Sequence, residues 1–280
     1  MTQEIHTQEI NTQETHAEEI QSQEIQSEEI RIARDGFIAE IILNRPHKLN
    51  AVTPDMAAAI ARYCQGFDRD DGVRVVLLRG AGERAFCAGS DLNALAEYPT
   101  SWKFRNRVEY ATAVRDLRKP VVAALHGWVL GGGAEMALSA DIRIMGRGAR
   151  LGFPEVKRGW VGGGGASQML PRLVGYGQAM RLLMLGEPID AAEAHRLGIV
   201  EFLTDDDKVE DEARTICRTL AGYSPVAVES VKASVRMALQ SSLAAGIRYE
   251  NEMNTLCFAA GDHLEGIRAF QEKREAEFKQ

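Results

Sequence analysis

The amino-acid sequence predicts an α/β core followed by a helical C-terminal region, on three observations. Strand-like apolar runs alternate with helix-like segments from about residue 37 to 204, the pattern of a sheet that carries helices against its faces. Strand signals stop after Asp205, and the segments beyond it read as helices. Glycine-rich turns separate an apolar run from a helical segment at Gly131–Gly133 and again at Gly162–Gly165. With 280 residues, 45% of them hydrophobic, the chain can bury a sizeable core.

Residues 1–30 stand apart. "TQEI", "TQEI", "TQET", "AEEI", "SQEI" and "SEEI" repeat with a period of five. Five residues advance a helix by about 500°, and an odd period throws side chains onto alternate faces of a strand. Neither geometry gathers the isoleucines on one side. The expectation is a disordered acidic tail, with a weak helix or a partner-binding strip as the alternatives. The tail holds eight glutamates and no Lys or Arg, whereas the other 250 residues hold 33 basic and 32 acidic side chains. That near-neutral body offers no basic stripe for nucleic acid.

Order is expected from Arg31. "RIARDGFIAEIILN" places an Asp35-Gly36 turn between apolar segments, a hairpin signal. "TPDMAAAIARYCQGF" supplies Thr53 as a helix cap and Pro54 at the first helical position. "VRVVLLRG" reads as a buried strand, "RVEYATAVRDLR" as a helix and "PVVAALHGWV" as another strand; "DIRIMG" and "IVEFL" follow as later strands. The last helices are "DEARTICRTLAGY", "VAVESVKASVRMAL", "GIRYENEMNTLCF" and "LEGIRAFQEKREAEF". The divisions are therefore a tail at 1–30, an α/β core at 31–205 and a helical region at 206–280.

No apolar run approaches the ~20 residues that span a bilayer, and no basic residue precedes Arg31, so neither a membrane span nor a secretory signal is expected. Cys64, Cys87, Cys217 and Cys257 form no C-x-x-C pair. Metal and disulfide frameworks are disfavoured, and a cytoplasmic location is expected.

The chemistry concentrates at the glycine turns. "HGWVLGGGAEMALSAD" runs strand, glycines, helix, with Glu135 two residues after Gly133. Main-chain N–H groups at a helix start lack partners and carry partial positive charge. They suit a phosphate or an oxygen that becomes negative during reaction; close packing of the turn is the plainer alternative. The G-x-G-x-x-G spacing of dinucleotide sites is missing. Upstream, "ERAFCAGSDLNAL" presents Ala88, Gly89 and Ser90 before another short helix. Downstream, "LGFPEVKRGWVGGGGASQML" sets Glu155 after Pro154.

In these motifs the sequence resembles the crotonase, or enoyl-CoA hydratase/isomerase, superfamily. The resemblance runs from "RIARDGFIAEIILNRPHKLNAVTPDM" to "EGIRAFQEKREAEF" and rests on "NRPHKLNA", "AFCAGSDL", "GWVLGGGAEMALSAD", "FPEVKRGWVGGGGASQMLPRLVG" and "LGEPIDAAEAHRLGIV". It implies a ClpP-like ββα spiral core with a helical trimerisation region, assembled as a homotrimer or dimer of trimers. It implies an oxyanion hole made by the N–H groups of Ser90 and Gly132, with Glu135 and Glu155 as the catalytic carboxylates. Lys48, Ala88, Asp91 and Leu92 fall where relatives line the coenzyme A site. Phe270 and Lys273 match a segment that approaches coenzyme A, often from a neighbouring subunit. The implied activity is hydration of a 2-enoyl-CoA, with isomerisation or dehydration of a hydroxyacyl-CoA as alternatives; it needs no metal or redox cofactor, coenzyme A being part of the substrate. The chain departs from the family at Trp160-Val161-Gly162, where hydratases carry a small aliphatic residue and a proline. Trp160 either shapes the acyl pocket or packs under the helix after the glycine run.

Two other classes remain open from the residues alone. A serine hydrolase would use Ser90, His126 and Asp141, although no G-x-S-x-G elbow is present. A non-catalytic acyl-CoA-binding protein would need neither glutamate.

Overall fold

The computed structural model of the protein describes residues 29–279. The acidic repeat lies outside the described residues except for Glu29 and Ile30, and with it the expectation of disorder.

The described residues open with the hairpin β1 (Ile30–Asp35) and β2 (Ile38–Leu43), one residue earlier than the sequence suggests. Its turn carries Gly36 at φ +55°, a left-handed angle that glycine adopts freely. Helix α1 (Pro54–Arg69) follows; the Thr53 side chain accepts a hydrogen bond from the Met56 N–H, and Pro54 opens the first turn. Next come β3 (Val75–Gly80), β4 (Ala85–Cys87), the short helices α2 (Leu92–Ala96) and α3 (Ser101–Arg105), and α4 (Tyr110–Asp116). The run read as one strand at "PVVAALHGWV" is two, β5 (Val121–Leu125) and β6 (Trp128–Leu130). Gly127, at φ +53°, turns the chain from one sheet into another between them. Then follow α5 (Gly132–Ser139), β7 (Ile142–Gly146), β8 (Arg150–Gly152), α6 (Ala166–Leu185, interrupted at Gly175), β9 (Ile189–Asp190), α7 (Ala191–Arg196) and β10 (Phe202–Thr204). Helices α8 (Val209–Ala221), α9 (Pro225–Ala238), α10 (Leu243–Ala260) and α11 (Asp262–Glu272) complete the chain. The last helix ends at Glu272 rather than running on, because Lys273 takes up a left-handed conformation at its C-cap.

Two sheets organise these elements. The six-stranded sheet has the order β1-β2-β3-β5-β7-β10, parallel except for β1; the four-stranded sheet has the order β4-β6-β8-β9, parallel except for β9. The pairs β3–β4, β5–β6 and β7–β8 each give one strand to each sheet and then feed helical structure. This is a ββα spiral.

Strand β3 shows how the layers are filled. Val76 and Leu78 join the main core with Met56 and Ile60 of α1, while Val75 and Leu77 face Val209, Ala213 and Cys217 of α8. Burial on both faces is what a parallel strand covered on two sides requires. Glu40 is a charge buried among these layers. Glu40 of β2 is 2% exposed and pairs with Arg79 of β3 and Arg214 of α8. Burial pushes its pKa up, but hydrogen bonds from the two guanidinium groups outweigh that and hold it below 4.5. Among the described residues no helix is long and apolar enough to cross a membrane.

A group whose folded pKa is depressed stabilises the fold above its unfolded pKa, and that contribution fades as pH falls through the folded value. Glu40→Gln is expected to lower the unfolding free energy by about 3–5 kcal/mol at pH 7. The difference from wild type should narrow below pH 4.5, and urea titrations at pH 7 and pH 4 measure both effects.

Candidate active site

The three parallel strands of the smaller sheet end on one edge, and each delivers a turn there. Strand β4 leads into Ala88-Gly89-Ser90, β6 into Gly131 and α5, and β8 into Phe153 and the 3-10 turn Pro154–Arg158. Because β6 lies between β4 and β8, the turns stand side by side in that order.

The first two turns nearly touch. A Cβ on Gly89 would stand 3.1 Å from the Gly132 nitrogen and 3.1 Å from the Leu130 carbonyl oxygen, tighter than an ordinary side-chain contact. Gly89 sits at φ +95° and Gly131 at φ +56°. The neighbouring main chain is tied down on both sides of Ser90: Val52 N–H donates to Gly89 O at 2.8 Å, and Asp91 N–H donates to Val52 O at 2.9 Å. The Gly131 N–H donates to Gly152 O at 2.9 Å. Among the described residues, the N–H groups of Ser90 and Gly132 meet no acceptor. Gly132 begins α5, so its N–H also carries the partial positive charge of a helix start.

Both glutamates border these turns. Glu135, in the first turn of α5 and 3% exposed, reaches across to the start of α6. There its carboxylate accepts hydrogen bonds from Gly164 N–H at 2.9 Å, Gly165 N–H at 3.0 Å and Ala166 N–H at 3.0 Å. The glycine run is thus a cradle that caps α6 with a side chain from another helix. Glu155 lies on the other side, its Oε1 3.2 Å from where a Gly131 Cβ would stand. That oxygen is buried without a protein partner. Burial, and then the nearby Glu135, raise the Glu155 pKa above 4.5.

The "NRPHKLNA" motif braces the first turn from below. Asn50 is fully buried and donates to the carbonyl oxygens of Ala81 and Ala85, while its own Oδ1 accepts from Arg45 N–H. Ala88 N–H donates to Leu49 O at 3.0 Å, and Arg45 reaches Asp91 Oδ2 at 3.1 Å. Lys48, Ala88, Asp91 and Leu92 therefore share one neighbourhood beside Ser90, with Lys48 and Leu92 exposed. Phe270 and Lys273 are not brought to it within the chain. Helix α11 packs on α10, and the segment after it reaches Arg74, whose side chain donates to Phe278 O, at the opposite end of β3 from the turns. A cavity of about 1070 Å³ lies under α9 and α10, and none of these site residues lines it.

Trp160 packs against Phe104 of α3, ring centroids 5.4 Å apart, and remains 43% exposed. Phe104 also meets Tyr98 edge-on and carries the Arg107 guanidinium over its face. The sequence reading missed this aromatic group and also Tyr110, whose hydroxyl lies 3.1 Å from Ser90 Oγ. A tyrosine inside a helical pattern carries no signal of its own.

The hydrolase constellation is not assembled. Ser90 Oγ pairs with Tyr110. The His126 ring lies against the main chain of Gly82 and Ala85, and burial depresses its pKa. Asp141 pairs with Lys232 at 2.5 Å and Arg236 at 3.4 Å. Among the described residues no group of three His, Cys, Asp or Glu side chains converges to hold a metal ion.

Residues 33–280 match the family model described as enoyl-CoA hydratase/isomerase. The chain belongs to the enoyl-CoA hydratase/isomerase family. It is 35% identical over 251 residues to the short-chain-enoyl-CoA hydratase of Clostridium acetobutylicum, covering 88% of this chain and 95% of that one. It is 32% identical over 251 residues to the (E)-benzylidenesuccinyl-CoA hydratase of Thauera aromatica, covering 86% and 95%. The crystal structure of enoyl-CoA hydratase from Bacillus anthracis superposes with a TM-score of 0.84 at 33% identity, covering 90% of this chain and 99% of that one. The two-sheet spiral is accordingly the crotonase fold, and family membership makes this a hydratase or isomerase of acyl-CoA thioesters.

Gly132→Ala tests the seat of the second N–H group, since the new methyl would collide with the Tyr110 hydroxyl. A main-chain donor to a developing oxyanion is worth ~10² or more in rate, so turnover of an enoyl-CoA should fall by at least that much if the Gly132 N–H plays that part. Ser90→Ala should stay within about tenfold of wild type, where a nucleophilic serine would lose ~10⁶; steady-state assays of both variants decide.

Proposed function

We propose that the protein is an enoyl-CoA hydratase, adding water reversibly across the 2,3 double bond of a 2-enoyl-CoA. The observation that carries this reading is the pairing of two unengaged main-chain donors with two carboxylates across three adjacent turns. The N–H groups of Ser90 and Gly132 would receive the thioester oxygen as it gains enolate character. Fixed donors suit that task because they need no reorganisation as charge develops.

The two carboxylates differ in a way that suggests a division of labour. Glu135 is anchored by three N–H groups and would orient the attacking water and take its proton as the oxygen bonds to C3. Glu155, unpartnered and with a raised pKa, would deliver a proton to C2. The water proton left on Glu135 then returns to Glu155 through the next water, closing the cycle. An isomerase needs one carboxyl group to carry a proton between carbons, so the second favours hydration. Coenzyme A enters with the substrate, over Lys48, Ala88, Asp91 and Leu92, and the chemistry asks for no metal or redox group. A cytoplasmic setting belongs to the same proposal.

Glu135→Gln and Glu155→Gln should each lower hydration by ~10² or more. The double variant should lose less than the product of the two, because groups acting as a unit are not additive. A panel of acyl-CoA thioesters scored by product mass tests the reaction itself, since hydration adds one water and isomerisation adds nothing. Near-normal hydration by Glu155→Gln would overturn the paired mechanism and put isomerisation first.

We further propose a homotrimer, or a dimer of trimers, in which Phe270 and Lys273 meet the coenzyme A of a neighbouring subunit. Support comes from apolar side chains left in the open: Val231 and Val235 on α9 are 63% and 62% exposed, and Phe270 on α11 is 85% exposed. Contiguous exposed apolar surface marks an interface. Sedimentation at micromolar concentration is expected to give a trimer or hexamer; a monomer alone would refute the assembly.

A further inference from the structure

Tyr110 has a place in the site that neither the motifs nor the two carboxylates explain. It is the first residue of α4 and is 4% exposed. Its helix is anchored at that end: the Glu109 side chain accepts from Ala111 N–H, and Ala111 and Val114 are buried in the core. The phenol oxygen reaches 3.1 Å from Ser90 Oγ on one side. On the other it occupies the space that a Gly132 side chain would need. One hydroxyl thus stands between the residues that own the two free N–H groups. Burial, and then the neighbouring Cys87, push its pKa well above 10, so the phenol stays neutral and able to hydrogen-bond at any working pH.

The main chain around Ser90 is held on the opposite side through Val52. Val52 N–H holds the carbonyl of the Gly89–Ser90 peptide, the same peptide unit that carries the Ser90 N–H, from one side only. The hydroxyl pair holds Ser90 from the other side, and the contact with Gly132 sets how closely the second donor approaches. A hydrogen bond prefers an angle above about 150° and weakens steeply below about 120°, so the aim of the two N–H groups matters most when the oxygen is most negative.

We propose that Tyr110 is a positioning residue of the oxyanion hole: bonded to the Ser90 side chain and seated against Gly132, it sets the spacing and tilt of the two N–H donors. The proposal rests on the hydratase reading of the site. It asks Tyr110 to touch no reacting atom.

Tyr110→Phe keeps the ring and removes only the hydroxyl. Ser90→Ala removes the other half of the same hydrogen bond and leaves the main-chain N–H in place. Each variant should lower kcat about three- to tenfold with KM within about twofold, the signature of an interaction expressed in the transition state. The double variant should be no slower than the slower single, because both remove one bond. A second readout needs no turnover: 4-dimethylaminocinnamoyl-CoA absorbs further to the red as its thioester carbonyl is polarised, and each variant should shrink the red shift on binding. Multiplying effects in the double variant, an effect confined to KM, or a wild-type red shift in either single variant would overturn the proposal. If circular dichroism shows that Tyr110→Phe does not fold, the red shift and kcat of Ser90→Ala decide alone. If the wild type hydrates none of the thioester panel, the hydratase reading fails separately, while the red shift on binding still tests the brace.

Discussion

The main-chain approach of Gly89 to Gly132 is the constraint on which the site depends. Two turns from different strands can come this close only if neither carries a side chain facing the other. The smaller sheet makes the approach possible, since β4 and β6 are adjacent and parallel and release their turns on the same edge. The larger sheet makes it durable: β3 and β5 are buried on both faces and fix where β4 and β6 begin. Asn50 adds the last restraint by filling the space under β4 with hydrogen bonds to two carbonyl groups. Each layer narrows the freedom of the next, down to two N–H groups.

Glu135 and Glu155 show how one fold gives two identical side chains unlike properties. Glu135 is buried but satisfied, because the start of α6 supplies three donors that the helix cannot use internally. Glu155 is enclosed beside Gly131 with an oxygen left unpaired. An unsatisfied buried oxygen costs about 1–3 kcal/mol, which a purely structural position would avoid. In the proposed reaction that cost is offset, because the unpaired oxygen is the one that would deliver a proton to C2.

Much of this was legible in the sequence because it depends on local backbone requirements. Thr53-Pro54, Asp35-Gly36 and the glycine runs announce themselves through caps and turns, and the alternation of strand and helix signals gives the layered core. What escaped depends on distance. The split of "PVVAALHGWV" into β5 and β6 turns on Gly127, whose left-handed angle no apolar pattern reports. The end of α11 is set by Lys273, a residue with no helix-stopping character. Trp160 was expected either to line the pocket or to lie under α6; its packing on Phe104 joins segments more than fifty residues apart. Tyr110 and Ser90 are twenty residues apart in sequence and meet only after α4 docks. Nor does one chain bring Phe270 and Lys273 to Lys48, Ala88, Asp91 and Leu92, so the coenzyme A contact proposed for that pair requires a neighbouring subunit.

The order of the turns along the edge of the smaller sheet carries a consequence for how such a protein can change. Successive repeats of the spiral contribute separate parts: one brings a donor, the next a donor with a carboxylate, the third a second carboxylate. The parts meet through backbone contacts and a few side chains, in front of a shared core to which residues such as Phe153 and Ala134 also belong. The architecture is therefore modular at the level of single loops. On the proposed mechanism, an exchange in the third turn alone would alter proton delivery and leave thioester polarisation intact, so that new reactions could arise on an unchanged means of gripping the substrate.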